Sequence, residues 1–532
     1  MPRLLLIVLG VGVLAVVAFP ILRRHVHVET GMTDRHGVRA VLAAVGTMFA
    51  VQAPAQAVPP TVIGVNLSAP AYFRQNRALA NLAAAGVWLA SDRRTLGPDY
   101  LTRDGDIKQV PSGATLFRML TLPAAGKSRN VTISCSWQGK GLIKPFGVPV
   151  ESVQYGPSGF TFVLQNDPLR TKSNVQLKVS AVDPADPIRR LDCREAGLPT
   201  TARFDPAYVE SLRGFRVIRF MDWQGTNFNM PVTWATRHLP GGIDTIKDDG
   251  ISIEDMIALT KETGADPWFN MPWNADDDYY LRFAQLVHDT LPPDRTVYVE
   301  LANEVWNHRF KVSKQAGEEG LAAALTADPN ESVLVRYAQK TAHVMDIWAK
   351  VFADRPRRLV RVAACQNGAL CAKTVLGFRD TARHVDALAT APYFGNAMNR
   401  NPPATADAVF QQLDGEIDQA LDKALKAKAV AAGYGLRYIA YEGGQHLVFK
   451  DLALEEQVER DPRMYNAYKK YLEGWRTRIG DAIVLYNSSD AIGRYGSWGL
   501  VEFVGQPISA APKMRAVREE IAITDRSKAG AR

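Results

Sequence analysis

Thr296-Val-Tyr-Val-Glu-Leu-Ala-Asn-Glu-Val-Trp-Asn307 reads as a short buried strand, Thr296 to Leu301, that breaks into a polar end carrying Asn303 and Glu304. A second run, Leu436 to Tyr441, ends the same way in Glu442-Gly443-Gly444. Carboxylates at the C-terminal ends of two separate buried strands are where a (β/α)8 barrel places reacting groups. Two carboxylic acids are also the minimum equipment for hydrolysing a glycosidic bond, one as proton donor and one as nucleophile or base. Asn303 adds a polar group within reach of a sugar hydroxyl. A lone strand-end Glu is more often ion-paired or capping; the pairing in matching contexts carries the reading.

Outward from these two runs the chain alternates strand and helix. Thr61–Leu67, Phe215–Phe220, Asp266–Asn270, Thr296–Leu301, Leu359–Ala364, Val385–Ala389, Leu436–Tyr441 and Ala482–Leu485 count as eight strands. Helices are expected near 76–87, 252–263, 276–290, 332–352, 405–431 and 464–479, with Ser252 and Asp255 forming a capping box. The class is α/β, a closed parallel (β/α)8 TIM barrel, with Glu304 after strand four and Glu442 after strand seven. From about Leu96 to Leu198 the texture changes to short β-branched segments between Gly, Pro, Ser and Asn, the pattern of an antiparallel β-sandwich. The expected domains are an N-terminal apolar segment and signal peptide (1–57), a first β/α unit (58–95), the inserted sandwich (96–204) and the rest of the barrel (205–525). An insert entering after the first helix would be rooted on the non-catalytic side. Its aromatics Trp137, Phe160 and Phe162 read as core, so a bracing role is expected rather than a sugar-binding one.

With 47% hydrophobic and 22% charged residues the 532-residue chain is ordinary for a globular protein. Its net charge is +8, but the basic residues are dispersed and not interleaved with aromatics, so no nucleic-acid partner is expected. A mild basic excess favours an acidic polysaccharide or an envelope surface. Leu4–Leu22 is apolar and followed by Arg23-Arg24, near the minimum length for a membrane anchor. Met32 then begins a second segment with a charged start, an apolar run from Ala40 to Val51 and an Ala55-Gln56-Ala57 end, the layout of a secretory signal. The expected location is secreted or periplasmic, with a membrane-anchored form as the alternative, and the expected state is a monomer.

Cys135, Cys193, Cys365 and Cys371 form no C-x-x-C pair and no zinc-finger spacing. Cys135–Cys193 and Cys365–Cys371 are the pairing expected in an oxidising compartment, four buried thiols being the alternative. No metal and no cofactor are implied: nucleotide-binding glycine loops, a serine elbow and H-E-x-x-H are all missing. Asp276-Asp277-Asp278 resembles a metal cluster but fits a helix cap better.

Residues 58–92 and 206–510 resemble clan A of the glycoside hydrolases, the retaining β-glycosidases built on (β/α)8 barrels. Arg219-Phe-Met-Asp-Trp223 with Thr226-Asn227, Asp266-Pro-Trp-Phe-Asn-Met-Pro-Trp273 and Glu300-Leu-Ala-Asn-Glu-Val-Trp-Asn307 are similar to a group of exported bacterial proteins described as cellulose-binding or glycosidase-like. The resemblance implies that Glu304 is the acid/base and Glu442 the nucleophile, that Arg219 keeps the nucleophile ionised, and that Tyr393 touches it. Ala391 stands where the cellulase-like family of the clan carries a His.

Trp223, Trp234, Trp273, Trp306 and Trp498 fall in strand-end loops, where aromatic faces would meet sugar C–H faces; about half are expected to face substrate, the rest to be core. Asp222, Asn227, Arg237, Asn270, Asn307 and His308 could read hydroxyls. The expected activity is retaining hydrolysis of β-glycosidic bonds in an extracellular or envelope polysaccharide or its oligosaccharides, through a covalent glycosyl-enzyme. A non-catalytic carbohydrate-binding protein or a transglycosylase on the same barrel are the alternatives.

The signal-like segment ends at Ala57, so the mature chain is expected to begin near Val58. N-terminal sequencing of material from the native host checks this; residues 4–22 retained in a membrane fraction would indicate the anchored form.

Overall fold

The computed structural model describes residues 58–530 apart from Gln75, 123–129, 166–174 and 244–249. The N-terminal segment and leader expected at 1–57 lie outside the described residues. Eight strands close a parallel barrel in chain order: β1 (Val62–Asn66), β2 (Val217–Arg219), β3 (Asp266–Met271), β4 (Val297–Leu301), β5 (Leu359–Cys365), β6 (Ala387–Thr390), β7 (Arg437–Ala440) and β8 (Ala482–Leu485). Closure runs from β8 back to β1, Val62 opposite Ala482 and Val65 opposite Leu485.

Period-two alternation sorts these largely buried strands into two faces. Val217, Trp268, Tyr298, Val360, Val362, Ala364, Ala387, Ala389, Ile439, Ala482 and Val484 fill the interior. The alternate residues, such as Ile218, Phe269, Val299 and Leu301, face the helical jacket. Two steps along from Val217 stands Arg219, and two from Tyr298 stands Glu300, so the alternation that fills the barrel also aims charge up its axis. Gly64 in β1 permits this crowding: a Cβ there would sit 2.7 Å from the Val217 carbonyl oxygen.

Helix starts follow their sequence signals. Ser252 caps Ile253–Thr263, its side chain accepting the Asp255 amide; Asp276 caps Asp277–Thr290 through the Tyr279 amide. Asp278 pairs with Arg282 and Asp277 with His343, so the acidic triplet is a helix start. A further helix, Lys311–Ala322, follows the β4 loop; Phe310 precedes it without a side-chain cap, which is why no start signal announces it.

The antiparallel insert is two four-stranded sheets. One runs Trp88–Ala90, Leu116–Met119, Gln176–Val182, Gly141–Phe146; the other Val150–Gly156, Gly159–Gln165, Asn130–Gln138, Arg189–Glu195. Their shared core includes Leu116, Ile133, Phe160, Phe162, Leu177 and Val179, each worth about 1.5–3 kcal/mol when fully buried. Trp137 is partly buried against Phe160. Cys135 and Cys193, register partners on neighbouring strands, form one disulfide, and Cys365 at the end of β5 forms the other with Cys371. Such cross-links belong to chains that mature in an oxidising compartment. Among the described residues no helix is long and apolar enough to cross a membrane.

Two expectations are corrected. The Ala-rich stretch Asn76–Val87 forms no helix, because its backbone is used elsewhere. The Ala80 amide bonds the Arg203 carbonyl, the Asp205 amide bonds the Ala78 carbonyl, and Arg118 donates to the carbonyls of Ala83 and Gly86. Tertiary bonds of this kind override a propensity of a few tenths of a kcal/mol per residue. The root of the insert also changes sides. The chain leaves β1 at its C-terminal end and enters the sheets without a helix, then returns into helix Pro206–Leu212, which runs antiparallel to β2. Both ends of the insert, joined at Leu79 and Phe204, are therefore on the face that carries Glu304 and Glu442.

Arg77 fastens that root. Fully buried, it lies between Glu195 of the insert and Asp205, the cap of helix Pro206–Leu212. Arg77→Ala removes the cation between buried Asp205 and partly buried Glu195 and should cost about 3–5 kcal/mol in urea unfolding; a loss below about 1 kcal/mol would mean the pair contributes as little as a surface bridge.

Candidate active site

Arg219 is fully buried and all five of its N–H bonds find acceptors. Nε and Nη2 grip Glu300 at 3.0 Å each, Nη2 also reaches Asn303 at 2.7 Å, and Nη1 reaches Glu442 at 2.7 Å and Asn66 at 3.0 Å. One guanidinium thus holds β1, β2, β4 and the end of β7. Trp268 on β3 donates to Glu300 at 2.9 Å, and the Arg219 guanidinium lies 4.9 Å from the Tyr441 ring centroid.

Glu442 is 6% exposed; besides Arg219 it accepts from Tyr393 at 3.0 Å. Glu304 is partly exposed and, among the described residues, accepts only from neutral donors, Tyr441 at 3.0 Å and Asn307 at 2.8 Å. Tyr441 in turn accepts from Trp306 at 3.2 Å. The turn that presents Glu304 holds two non-glycine residues in the left-handed region, Ala302 at φ 53° and Glu304 at φ 42°. Such positions cost of order 1–3 kcal/mol each and need surrounding support. Asn270 supplies it, donating to the Ala302 carbonyl at 2.8 Å.

Burial pushes the carboxyls of Glu300 and Glu442 up to about 7. Arg219 pulls both back, the Glu442 charge raises Glu300 further, and the Glu304 charge does the same to Glu442. Glu304 is raised as well, by burial first, with Asn307 and Tyr441 opposing. Burial acts against the Arg219 charge too, yet Glu300 and Glu442 outweigh it and keep the guanidinium protonated. Burial, together with neighbouring carboxylates, raises Tyr393, Tyr441 and Tyr486 well above a phenol's usual range, so they remain donors. Three carboxyls around one cation cannot all ionise cheaply near neutral pH. Arg219 gives Glu300 and Glu442 charge-assisted bonds that favour their ionised forms, whereas Glu304 accepts from a phenol and an amide.

The remaining sequence-derived candidates divide. Asn227 accepts from Asn303 at 3.0 Å; Asp222 accepts from Tyr486 at 3.2 Å; Trp498 donates to His446 at 3.1 Å and packs on Tyr486. Trp306, Tyr393 and Trp498 keep partial exposure around the two glutamates. Five of the candidates are buried. Trp223 is 1% exposed, packed on Phe204, Tyr208 and Phe220 with its N–H on the Ser68 carbonyl. Trp273, equally buried, bonds Glu319 at 3.2 Å. Arg219, Asn270 and Asn303 lie beneath the site, where they position its carboxylates and turn. Trp234, partly exposed, stacks under Arg237 at 4.1 Å on the β2 loop, while His308 is exposed and bonded to Ser313.

Sequence reasoning assigned no role to Glu300, Tyr441, Asn66, Tyr486 or His446. The first two had a signal, since Glu300 shares the inward face of its strand with Tyr298 and Tyr441 shares that of Ile439. His446 has none, being recruited through Trp498; burial and Arg309 lower it to about 4, so the ring is neutral.

The chain matches no protein-family model and no curated protein. Solved structures similar to part of it include a family 51 α-L-arabinofuranosidase from Bifidobacterium longum (14% identity, 52% of this chain and 59% of that one, TM-score 0.34). Others are an α-L-arabinofuranosidase from Thermotoga maritima (15%, 54% and 58%, 0.35) and a family 1 β-glucosidase from the same organism (14%, 59% and 85%, 0.37). The chain spans just under three fifths of the length of the two arabinofuranosidases. At these values the likeness carries no functional argument, and the site's own side chains must supply it.

Removing Arg219 should reveal the charge it balances. With Arg219→Met, Glu300 and Glu442 rise beyond about 7. A carboxyl raised on folding loses stability as pH climbs from its unfolded value through its folded one. The variant's deficit against the parent should therefore grow between pH 5 and pH 8 in urea unfolding; an equal deficit at both would contradict the balance.

Proposed function

We propose that the protein is an exported retaining glycoside hydrolase that cleaves β-glycosidic bonds in an extracellular or envelope polysaccharide. The observation that carries this reading is the unequal donor set of two carboxyls on one barrel face: Glu442 takes a cation and a phenol, Glu304 neutral donors only. An acid that must hold a proton and a nucleophile that must be anionic require that inequality.

In this reading Glu304 gives its proton to the leaving oxygen as the Glu442 carboxylate attacks the anomeric carbon, forming a covalent glycosyl-enzyme. Glu304, now ionised, takes a proton from water, which displaces Glu442 and restores both groups. Tyr393 steadies the nucleophile oxygen that does not touch Arg219. Trp306 lies on the leaving-group side through its bond to Tyr441, and Trp498 with His446 on the other, offering apolar faces to successive sugars. The two disulfides support export.

Glu304→Gln and Glu442→Gln should each remove hydrolysis in a polysaccharide panel while leaving the fold intact, the former by about 10²–10⁴-fold. Normal turnover by both would refute the assignment. With Glu442→Ala, azide should restore turnover of an activated aryl glycoside and yield the glycosyl azide of inverted configuration; no azide product would argue against a covalent intermediate.

A further inference from the structure

The outer face of one sheet of the insert has a composition that packing does not explain. Across Trp88–Ala90, Leu116–Met119, Gln176–Val182 and Gly141–Phe146, the register places Leu89, Phe117, Lys178 and Lys144 in one row. On one side of it the face carries Ser91, Thr115, Ser180 and, past a bulge where it opposes Ala181, Leu142; on the other it carries Gln176 and Phe146. Leu89, Leu142 and Phe146 are 52%, 67% and 51% exposed. Phe117 lies 6.0 Å from Phe146, with the Lys178 ammonium 5.8 Å from its centroid. At about 4.8 Å between strands, the row is about 14 Å long.

Lys144 and Lys178 are direct cross-strand partners. Like charges so placed are destabilising, and neither lysine has a carboxylate partner among the described residues. The face itself carries no acid. The insert as a whole, residues 88–204, has sixteen Lys and Arg against ten Asp and Glu, an excess of six within a chain of net charge +8. A repelling pair left uncompensated, beside exposed rings and hydroxyls, is a surface that an anionic chain would complete.

We propose that this face binds an anionic polysaccharide: Phe117, Phe146 and the leucines lie against sugar rings, Lys144 and Lys178 pair with carboxylates along the chain, and Ser91, Thr115 and Ser180 meet hydroxyls. A glycan fits better than a bilayer because the apolar side chains alternate with lysines and hydroxyls instead of forming one patch. It fits better than a nucleic acid because the disulfides mark an oxidising compartment. This binding site is separate from the two glutamates and stands whether or not they catalyse hydrolysis.

The test is affinity electrophoresis of the intact protein in gels containing alginate, a polyuronate, or neutral hydroxyethyl cellulose, with flotation on anionic phospholipid vesicles and a single-stranded DNA shift alongside. Alginate should retard the protein at least tenfold more than the neutral polymer, and the retardation should weaken with salt. Lys144→Gln with Lys178→Gln should abolish it, and Phe146→Ala, an exposed change, should weaken it severalfold. Any turnover of a small aryl glycoside should be unchanged in these variants. Equal retardation by the neutral polymer, an unaffected lysine variant, or capture by vesicles or DNA without alginate binding would each overturn the proposal. Loss of hydrolysis in the glutamate variants with alginate binding kept would leave it standing.

Discussion

The site depends on a shortage of positive charge. Arg219 spends every N–H on Glu300, Glu442, Asn303 and Asn66, and among the described residues no cation reaches Glu304 by hydrogen bond. Coulomb attraction across a buried contact of this length is several kcal/mol even at a moderate effective dielectric, so how the cation is shared decides which carboxyl ionises. Glu300 absorbs half of the guanidinium and fixes its plane. The other half is aimed at Glu442. What remains for Glu304 is a phenol and an amide, which suit a protonated carboxyl as well as an ionised one.

Barrel geometry makes that sharing possible. Interior residues advance by two along each strand, so Arg219 stands beyond Val217, Asn270 beyond Trp268 and Glu300 beyond Tyr298 toward the strands' C-terminal ends, with Asn66 the register partner of Arg219. Glu304 and Glu442 sit just past the strand ends, where the chain is free of the pleat. The positive φ of Ala302 and Glu304 turns the first of them inward, and the Asn270 side chain stabilises that turn. The insert is rooted beyond the C-terminal end of β1, where Leu79 bridges Phe204.

Most of the barrel was legible because its signal is periodic: eight apolar runs, each followed by a polar break, fall where the eight strands are. Glu304 and Glu442 were legible for the same reason, being carboxylates at such breaks. The helix expected at 76–87 was not, since Ala-rich composition speaks only to local propensity while the Asn81 side chain, Arg118 and the segment 203–205 claim that backbone. That one error also moved the root of the insert to the wrong face. Loop tryptophans were ambiguous by nature: nothing local distinguishes Trp223, which plugs the core, from Trp498, which stays partly exposed beside His446. Contacts such as Tyr486 with Asp222 join residues 264 positions apart and leave no trace in a single sequence.

Where the retained proton sits is the central claim, and neutron diffraction from deuterium-exchanged crystals at pH 7 reads it directly. The account requires a deuteron on a Glu304 carboxyl oxygen, with Glu442 bare and flanked by Arg219 and Tyr393 deuterons pointing at it. A deuteron on Glu442, or a bare Glu304 beside a protonated Glu300, would contradict it.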